Sequence, residues 1–478
     1  MNSAIIRRTL GNILMVLAVL MLLPLAVGLI YGENILNFAV TICLTAVSGF
    51  LLSLAKPVNR QLFAREGFII VGLAWILISA LGAVPFVISG SIPNYIDAFF
   101  ETVSGFTTTG SSVLSNVELL PKADLFWRSF THWIGGMGVL VFAFAIMPLS
   151  GEHSMHIMRA EVPGPTVGKL VPRVRKTARI LYIIYFILTL VQTGFLMFGG
   201  LSFYDALLHA FATAGTGGFS TYSASVGHFN SSYVEMVCAV FMFIFSINFS
   251  LFFLVLIGRP LQAIKNEELR WFVLIVSGAS LTIALGIRDM YGSFLTALRH
   301  AFFNVASITS TTGFCTVDFN TWPEFTKWII ILLMFCGACA GSTGGGLKVS
   351  RVAILLKSAA CEVRQTLHPR SVNRVRIDGK PLSDSSVHTV LVFFVLYICL
   401  FLLFAFIVSF DGFDVTTTFT AALTCISNVG PGLNLVGPTG NFSIFSPLSK
   451  IILSFAMLLG RLEIYPLLLL LSKNTWRR

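Results

Sequence analysis

The chain has 478 residues, of which 56% are hydrophobic and only 11% charged, with a formal net charge of +11 and a mean hydropathy of +0.86. A water-facing surface for so long a chain needs about 25% charged residues, which excludes an ordinary soluble enzyme, a disordered tail and a nucleic-acid-binding domain. The composition is that of a protein dissolved in lipid.

Arg7 and Arg8 precede an apolar run too long for the core of a signal peptide and without a small-x-small cleavage site, so the run is read as a membrane helix. Stretches long enough to span a bilayer follow the pattern 10–30, 36–55, 67–89, 125–149, 180–200, 234–257, 271–287, 327–356, 387–410 and 451–471. With Arg7 and Arg8 inside, 25 of the 32 basic residues fall on the inner side, including Arg60, Arg159, Lys169, Arg173, Arg259, Lys357, Arg364, Arg376 and Lys380. The basic excess is therefore a topology signal. The outer side is net negative, with Asp97, Glu101, Glu118, Asp205 and Asp414 among its acids, and a negative mouth concentrates cations. The eight cysteines sit mostly in apolar stretches; Cys336 and Cys339 are spaced CxxC, but no second pair completes a zinc site.

Four segments between spans are too short and too polar to cross, and each ends in glycine: residues 97–110, 205–218, 293–313 and 414–430. The end glycines are 108, 95 and 117 residues apart, an internal repeat of span, half-helix, glycine loop and span. One such loop is a tight turn. Four in register, each repeat starting and finishing inside, converge on a common axis, where backbone carbonyls replace the hydration shell of a potassium ion. The half-helices would aim their negative C-terminal ends at that ion. The fold expected is an all-α integral membrane protein: an accessory helix pair (1–65) and four membrane-helix/pore-loop/membrane-helix repeats around a pseudo-fourfold central pore (66–178, 179–268, 269–380 and 381–478).

The motifs Thr-Thr-Thr-Gly-Ser ending at Ser111, Thr-Gly-Gly-Phe-Ser-Thr from Thr216, Ser-Thr-Thr-Gly-Phe from Ser310 and Ser-Asn-Val-Gly-Pro from Ser427 resemble those of the Trk/Ktr/HKT superfamily of potassium transporters, and most closely its bacterial TrkH branch. The likeness covers nearly the whole chain. It implies potassium uptake through a single-chain filter formed by Thr108, Thr109 and Gly110, by Thr216, Gly217 and Gly218, by Thr311, Thr312 and Gly313, and by Asn428, Val429 and Gly430. Sodium-preferring relatives look to carry serine at the first of the four end glycines; glycine in all four places points to potassium. The resemblance further implies a homodimer with one pore per chain in the cytoplasmic membrane. It also implies a cytosolic TrkA-like nucleotide-binding ring as regulator, so that ATP, ADP or NADH would act only on that partner and the bound ions in this chain would be K+.

Two intramembrane features point to a gate. The run from Cys336 through Gly337, Gly341, Ser342, Thr343, Gly344, Gly345 and Gly346 to Lys348 interrupts a span with glycines that each cost a helix about 1 kcal/mol. It nearly spells a phosphate loop, but Leu347 intervenes and no soluble α/β unit surrounds it. Arg461 lies in the middle of the last span, where a charge at the bilayer centre costs about 2.5 to 3.5 kcal/mol and therefore faces a cavity or a partner. By resemblance the loop shifts beneath the filter and Arg461 is an electrostatic barrier to cations. The basic stretches 159–179 and 364–380 offer docking for an acidic partner. His132, His209 and His300 are read as structural residues, and no catalytic constellation lies on one side of the membrane. Other readings of the same filter are the translocating subunit of an ATP-driven potassium pump and a sodium- or proton-coupled symporter.

Overall fold

A computed structural model describes residues 2–56, 63–138, 174–370 and 373–476. Among these, six helices are long and apolar enough to cross a membrane, and a bent pair makes a seventh. Their outer faces expose large apolar side chains such as Leu29, Leu51, Leu274 and Phe406, a surface that lipid tolerates and water does not. The chain is a multi-pass membrane protein.

The first span is α1 (Ser3–Leu20) continued by α2 (Leu22–Tyr31), and it packs on α3 (Leu36–Ser53). From there a long helix, a short helix, a loop and a further helix recur along the chain, and in the second, third and fourth units that further helix is interrupted. The long helices are α4 (Ala64–Ser89), α7 (Val174–Phe198), α11 (Glu267–Tyr291) and α15 (Asp384–Val408). The short ones are α5 (Tyr95–Phe106), α8 (Phe203–Gly215), α12 (Phe294–Thr309) and α16 (Val415–Ser427). Side chains start three of the short helices: Asn94, Ser202 and Asp414 accept hydrogen bonds from the backbone amides of Ile96, Asp205 and Thr417.

Three of the expected spans are broken, one of them at the glycine run that the sequence marks and two where it marks none. Stretch 234–257 forms α9 (Ser232–Phe245) and α10 (Phe249–Leu256), bent by 90°. Asn248 causes the restart, its Oδ1 accepting the amide of Ser250 at 2.9 Å. Stretch 327–356 forms α13 (Glu324–Cys336) and α14 (Val349–Leu367), separated by the glycine-rich loop. Stretch 451–471 forms α17 (Pro447–Arg461) and α18 (Tyr465–Leu471), so Arg461 ends a helix rather than standing in the middle of one. The linkage after α17 carries Glu463 at φ 55° and Ile464 at φ 68°, a left-handed conformation that a β-branched residue rarely adopts. Stretch 125–149 begins as α6 (Lys122–Gly136), and its second half lies outside the described residues, as do Arg60, Arg159, Lys169 and Arg173.

One apolar core runs through the molecule and ties the accessory pair to the rest. Trp127 of α6 meets Phe38 of α3 and Phe106 of α5 edge-on, and its indole donates to the carbonyl of Gly82 at 3.0 Å. At the outer end Asn37 and Ser89 both donate to the buried carboxylate of Asp124.

Candidate functional site

The four short helices end in the same way. Each is followed by a residue in the left-handed region, Thr108, Thr216, Thr311 and Asn428, with φ between 56° and 60°. The next amide then reaches back five residues: Thr109 to Ser104, Gly217 to Ala212, Thr312 to Ser307 and Val429 to Thr424, at 2.8 to 2.9 Å. This is the Schellman termination, normally finished by glycine at the left-handed position. Here glycine stands two residues further on, at Gly110, Gly218, Gly313 and Gly430, again with positive φ.

Those glycines sit where no side chain fits. A Cβ on Gly110 would lie 2.0 Å from the carbonyl oxygen of Gly217, and one on Gly218 2.0 Å from that of Thr312. On Gly313 it would lie 2.4 Å from the oxygen of Val429, and on Gly430 2.7 Å from that of Thr109. The first loop therefore meets the second, the second the third, the third the fourth and the fourth the first. The contacts close a circle. Among the described residues no donor reaches the carbonyls of Thr109, Gly217, Thr312 or Val429, and an uncommitted buried carbonyl is unfavourable unless something else meets it. The four glycines also line a single cleft, together with Arg128, Tyr222 and Thr439.

Buried polar side chains hold the loops against one another. His132 of α6 bonds the carbonyl of Gly105 through Nδ1 at 2.7 Å and accepts the amide of Phe219 at Nε2, 3.2 Å away, so it joins the first short helix to the second loop as the Nδ1–H tautomer. A Cβ on Gly217 would strike its ring at 2.3 Å. Arg128, one turn earlier, pairs with Glu101 at 2.6 Å, donates to the carbonyl of Ser220 at 3.0 Å and lies over the Phe219 ring. Glu101 in turn accepts Ser112 Oγ and the amide of Val113, both at 2.9 Å. In the fourth loop Asn428 Nδ2 donates to Thr109 Oγ1 and to the carbonyl of Met457, both at 2.9 Å.

The glycine-rich loop lies against this circle. The amide of Gly345 donates to Thr311 Oγ1 at 2.7 Å, and a Cβ on Gly345 would meet the carbonyl of Ser427. Gly337, Gly341 and Gly346 all have positive φ, and so has Lys348, whose buried ammonium donates to the carbonyl of Gly344. On its other side the loop is stitched to the α9–α10 bend. Cys339 donates to the carbonyl of Ser246, Phe249 donates to that of Gly341, and Thr343 Oγ1 donates to that of Phe245, at 3.0 to 3.2 Å. The end of Ser342's side chain returns to the loop itself, on the carbonyl of Cys339.

Arg461 bridges two elements. One guanidinium nitrogen donates to the carbonyl of Thr343 at 2.7 Å, and the other to those of Gly135 and Gly136 at the C-terminus of α6, at 2.6 and 2.7 Å. Carbonyls at a helix C-terminus favour a cation. Glu463 turns away and pairs with Arg351 at 2.6 Å. The filter and gate residues expected from the sequence thus lie in one contiguous region. Glu101, Arg128, His132, Asn248 and Glu268, the last accepting the amide of Ala340 in the glycine-rich loop, also touch it and carry no sequence signal for it; their partners are mostly remote in sequence, and no periodicity marks them.

Residues 32–477 match the model of the TrkH family, described as a cation transport protein. The Trk system potassium uptake protein TrkH of Salmonella typhimurium is 38% identical over the full length of both chains, and that of Escherichia coli strain K12 is 37% identical with the same coverage. Among solved structures, the potassium transporter TrkH from Vibrio parahaemolyticus matches with a TM-score of 0.89 at 34% identity over all of both chains.

Proposed function

This chain belongs to the TrkH family of cation transport proteins, which are transporters and not enzymes, and from that membership we propose that it takes potassium into the cell through a gated, channel-like pore. The observation that carries the reading is the closed circle of four loops with uncommitted carbonyls. Carbonyl dipoles at this density replace the water around a potassium ion, and the four short helices direct their C-terminal ends toward it. The four helix–loop–helix units are then pseudo-equivalent repeats around one path, in the cytoplasmic membrane, with the accessory pair outside them.

Below the circle, the loop from Gly337 to Lys348 closes the path. Arg461 adds a fixed positive charge that repels cations and fastens the loop to α6. Opening requires the loop to leave Thr311 and Arg461 to lose Thr343. A soluble nucleotide-binding partner docked on the basic face around residues 364–380 supplies the bias, and a homodimer carries one such path per chain.

Tracer rubidium uptake into liposomes containing the purified protein tests the reading. Uptake suppressed by potassium and not by sodium is expected for the wild type or, where the wild type is closed, for Arg461→Ala. Absence of uptake in both removes the reading.

A further inference from the structure

The first turn of α11 carries two adjacent carboxylates that serve different partners. Glu268 is buried, and its Oε1 accepts the amides of Ala340 at 2.7 Å and Ser350 at 3.0 Å. These donors stand on either side of Gly341 to Lys348, so one oxygen draws together the two ends of the glycine-rich loop. Two backbone bonds also cross between the arms of the loop, from Leu347 to the carbonyl of Phe335 at 3.2 Å and from Val349 to that of Ala338 at 3.0 Å, and Glu268 is the side chain from outside the loop that adds to them.

Glu267 faces the opposite way, toward a hairpin on the basic face formed by Arg376–Ile377 and Lys380–Pro381. Its Oε2 accepts the amide of Asp378 at the hairpin tip at 3.0 Å, and Oε1 accepts Lys357 Nζ. Asp378 returns the contact: Oδ1 accepts the amide of Glu267 at 2.7 Å, and Oδ2 accepts Asn266 Nδ2 at 3.3 Å. Lys357 also donates to the carbonyl of Arg376 at 2.7 Å. The hairpin is therefore latched to the helix turn that bears Glu268, while Val375 and Ile377 seat it on an apolar patch with Ile354 and Val390. Around the latch Arg364, Arg374, Arg376 and Lys380 are exposed.

We propose that Glu268 is the positioning residue that holds the glycine-rich loop in its closed form, and that Asp378 sets Glu268 through the first turn of α11, so that a partner pulling on the hairpin is felt at the loop. This inference rests on the transport reading above. A buried acceptor shared by two backbone donors is worth enough that its loss shifts a closed–open balance by about tenfold.

The test is rubidium uptake by the full chain in liposomes, with sodium as competitor, for the wild type, Glu268→Ala, Glu268→Gln, Asp378→Ala and the double alanine variant. Glu268→Ala is expected to raise uptake about tenfold with the preference for rubidium over sodium intact, and Glu268→Gln, which keeps an acceptor oxygen, to restore the wild-type rate. Asp378→Ala is expected to raise uptake by about threefold, and to add nothing in the Glu268→Ala background. A folded Glu268→Ala protein with wild-type uptake, a loss of selectivity, or full additivity with Asp378→Ala overturns the proposal. If Glu268→Ala does not fold, the exposed Asp378→Ala decides, and unchanged uptake there overturns it. Arg461→Ala separates the two failures: leak in that variant without leak in Glu268→Ala sinks only the relay, whereas no rubidium movement in any variant sinks the transport reading with it.

Discussion

A methyl group at Gly218 has nowhere to go, because the oxygen it would strike belongs to the neighbouring loop's backbone. Gly218→Ala is therefore expected to distort two loops at once and to reduce rubidium-over-sodium preference at least about tenfold in competition uptake, a 1.4 kcal/mol change in the balance of sites. Gly313→Ser tests the corresponding position of the third loop in the same assay, with the same direction. Arg461→Ala should raise flux and leave selectivity alone, since its bonds reach Thr343 and the end of α6 and not the four glycines. Glu101→Ala makes a different demand. It strands Arg128 in the interior without its carboxylate, which costs about 3–5 kcal/mol and should appear as a lower melting temperature of the detergent-solubilised protein. The glycines were legible in the sequence because each closes a short polar segment. His132 and Glu101 were not, because a histidine bonded to Gly105 and Phe219 and a glutamate bonded to Val113 and Arg128 have partners too far along the chain to leave a mark in their own neighbourhood.

The elements divide into those that the sequence announces and those that it hides. Long apolar helices such as α11 and α15 follow from hydropathy, and the glycine-rich break between α13 and α14 follows from composition. The 90° bend at Ser246–Asn248 does not, since neither proline nor glycine occurs there and the apolar run continues on both sides. What bends it is tertiary: the freed carbonyls of Phe245 and Ser246 take donors from the glycine-rich loop. Removing residues 341–346 should thus raise leak through a folded protein and also loosen α10, seen as faster amide exchange over residues 249–256. The capping of α16 gives a prediction in pH. The Thr417 hydroxyl bonded to Asp414, opposed by partial burial, holds that carboxyl below its ordinary value. The stabilisation is present above the carboxylate's unfolded pKa and is lost as pH falls through the lower folded one. Asp414→Asn should flatten that part of the acid dependence of the melting temperature.

At the scale of the whole molecule, membrane orientation came from counting lysine and arginine, whereas the order in which the loops touch required three dimensions. A sequence repeat states that four similar units exist; it does not state that the fourth meets the first. Orientation is open to direct test. In a background without reactive cysteines, Thr439→Cys should react with an impermeant thiol reagent from outside and Lys380→Cys only from inside; the reverse labelling would invert every assignment of inner and outer faces. The same circle has a genetic consequence. An assembly of four identical chains changes all quarters of its ring with each codon altered. Here one codon alters one quarter, so on the transport reading ion preference can be graded in steps, and the third loop, whose Thr311 hydroxyl oxygen accepts the amide of Gly345 in the glycine-rich loop, can diverge toward control while the other three keep to coordination.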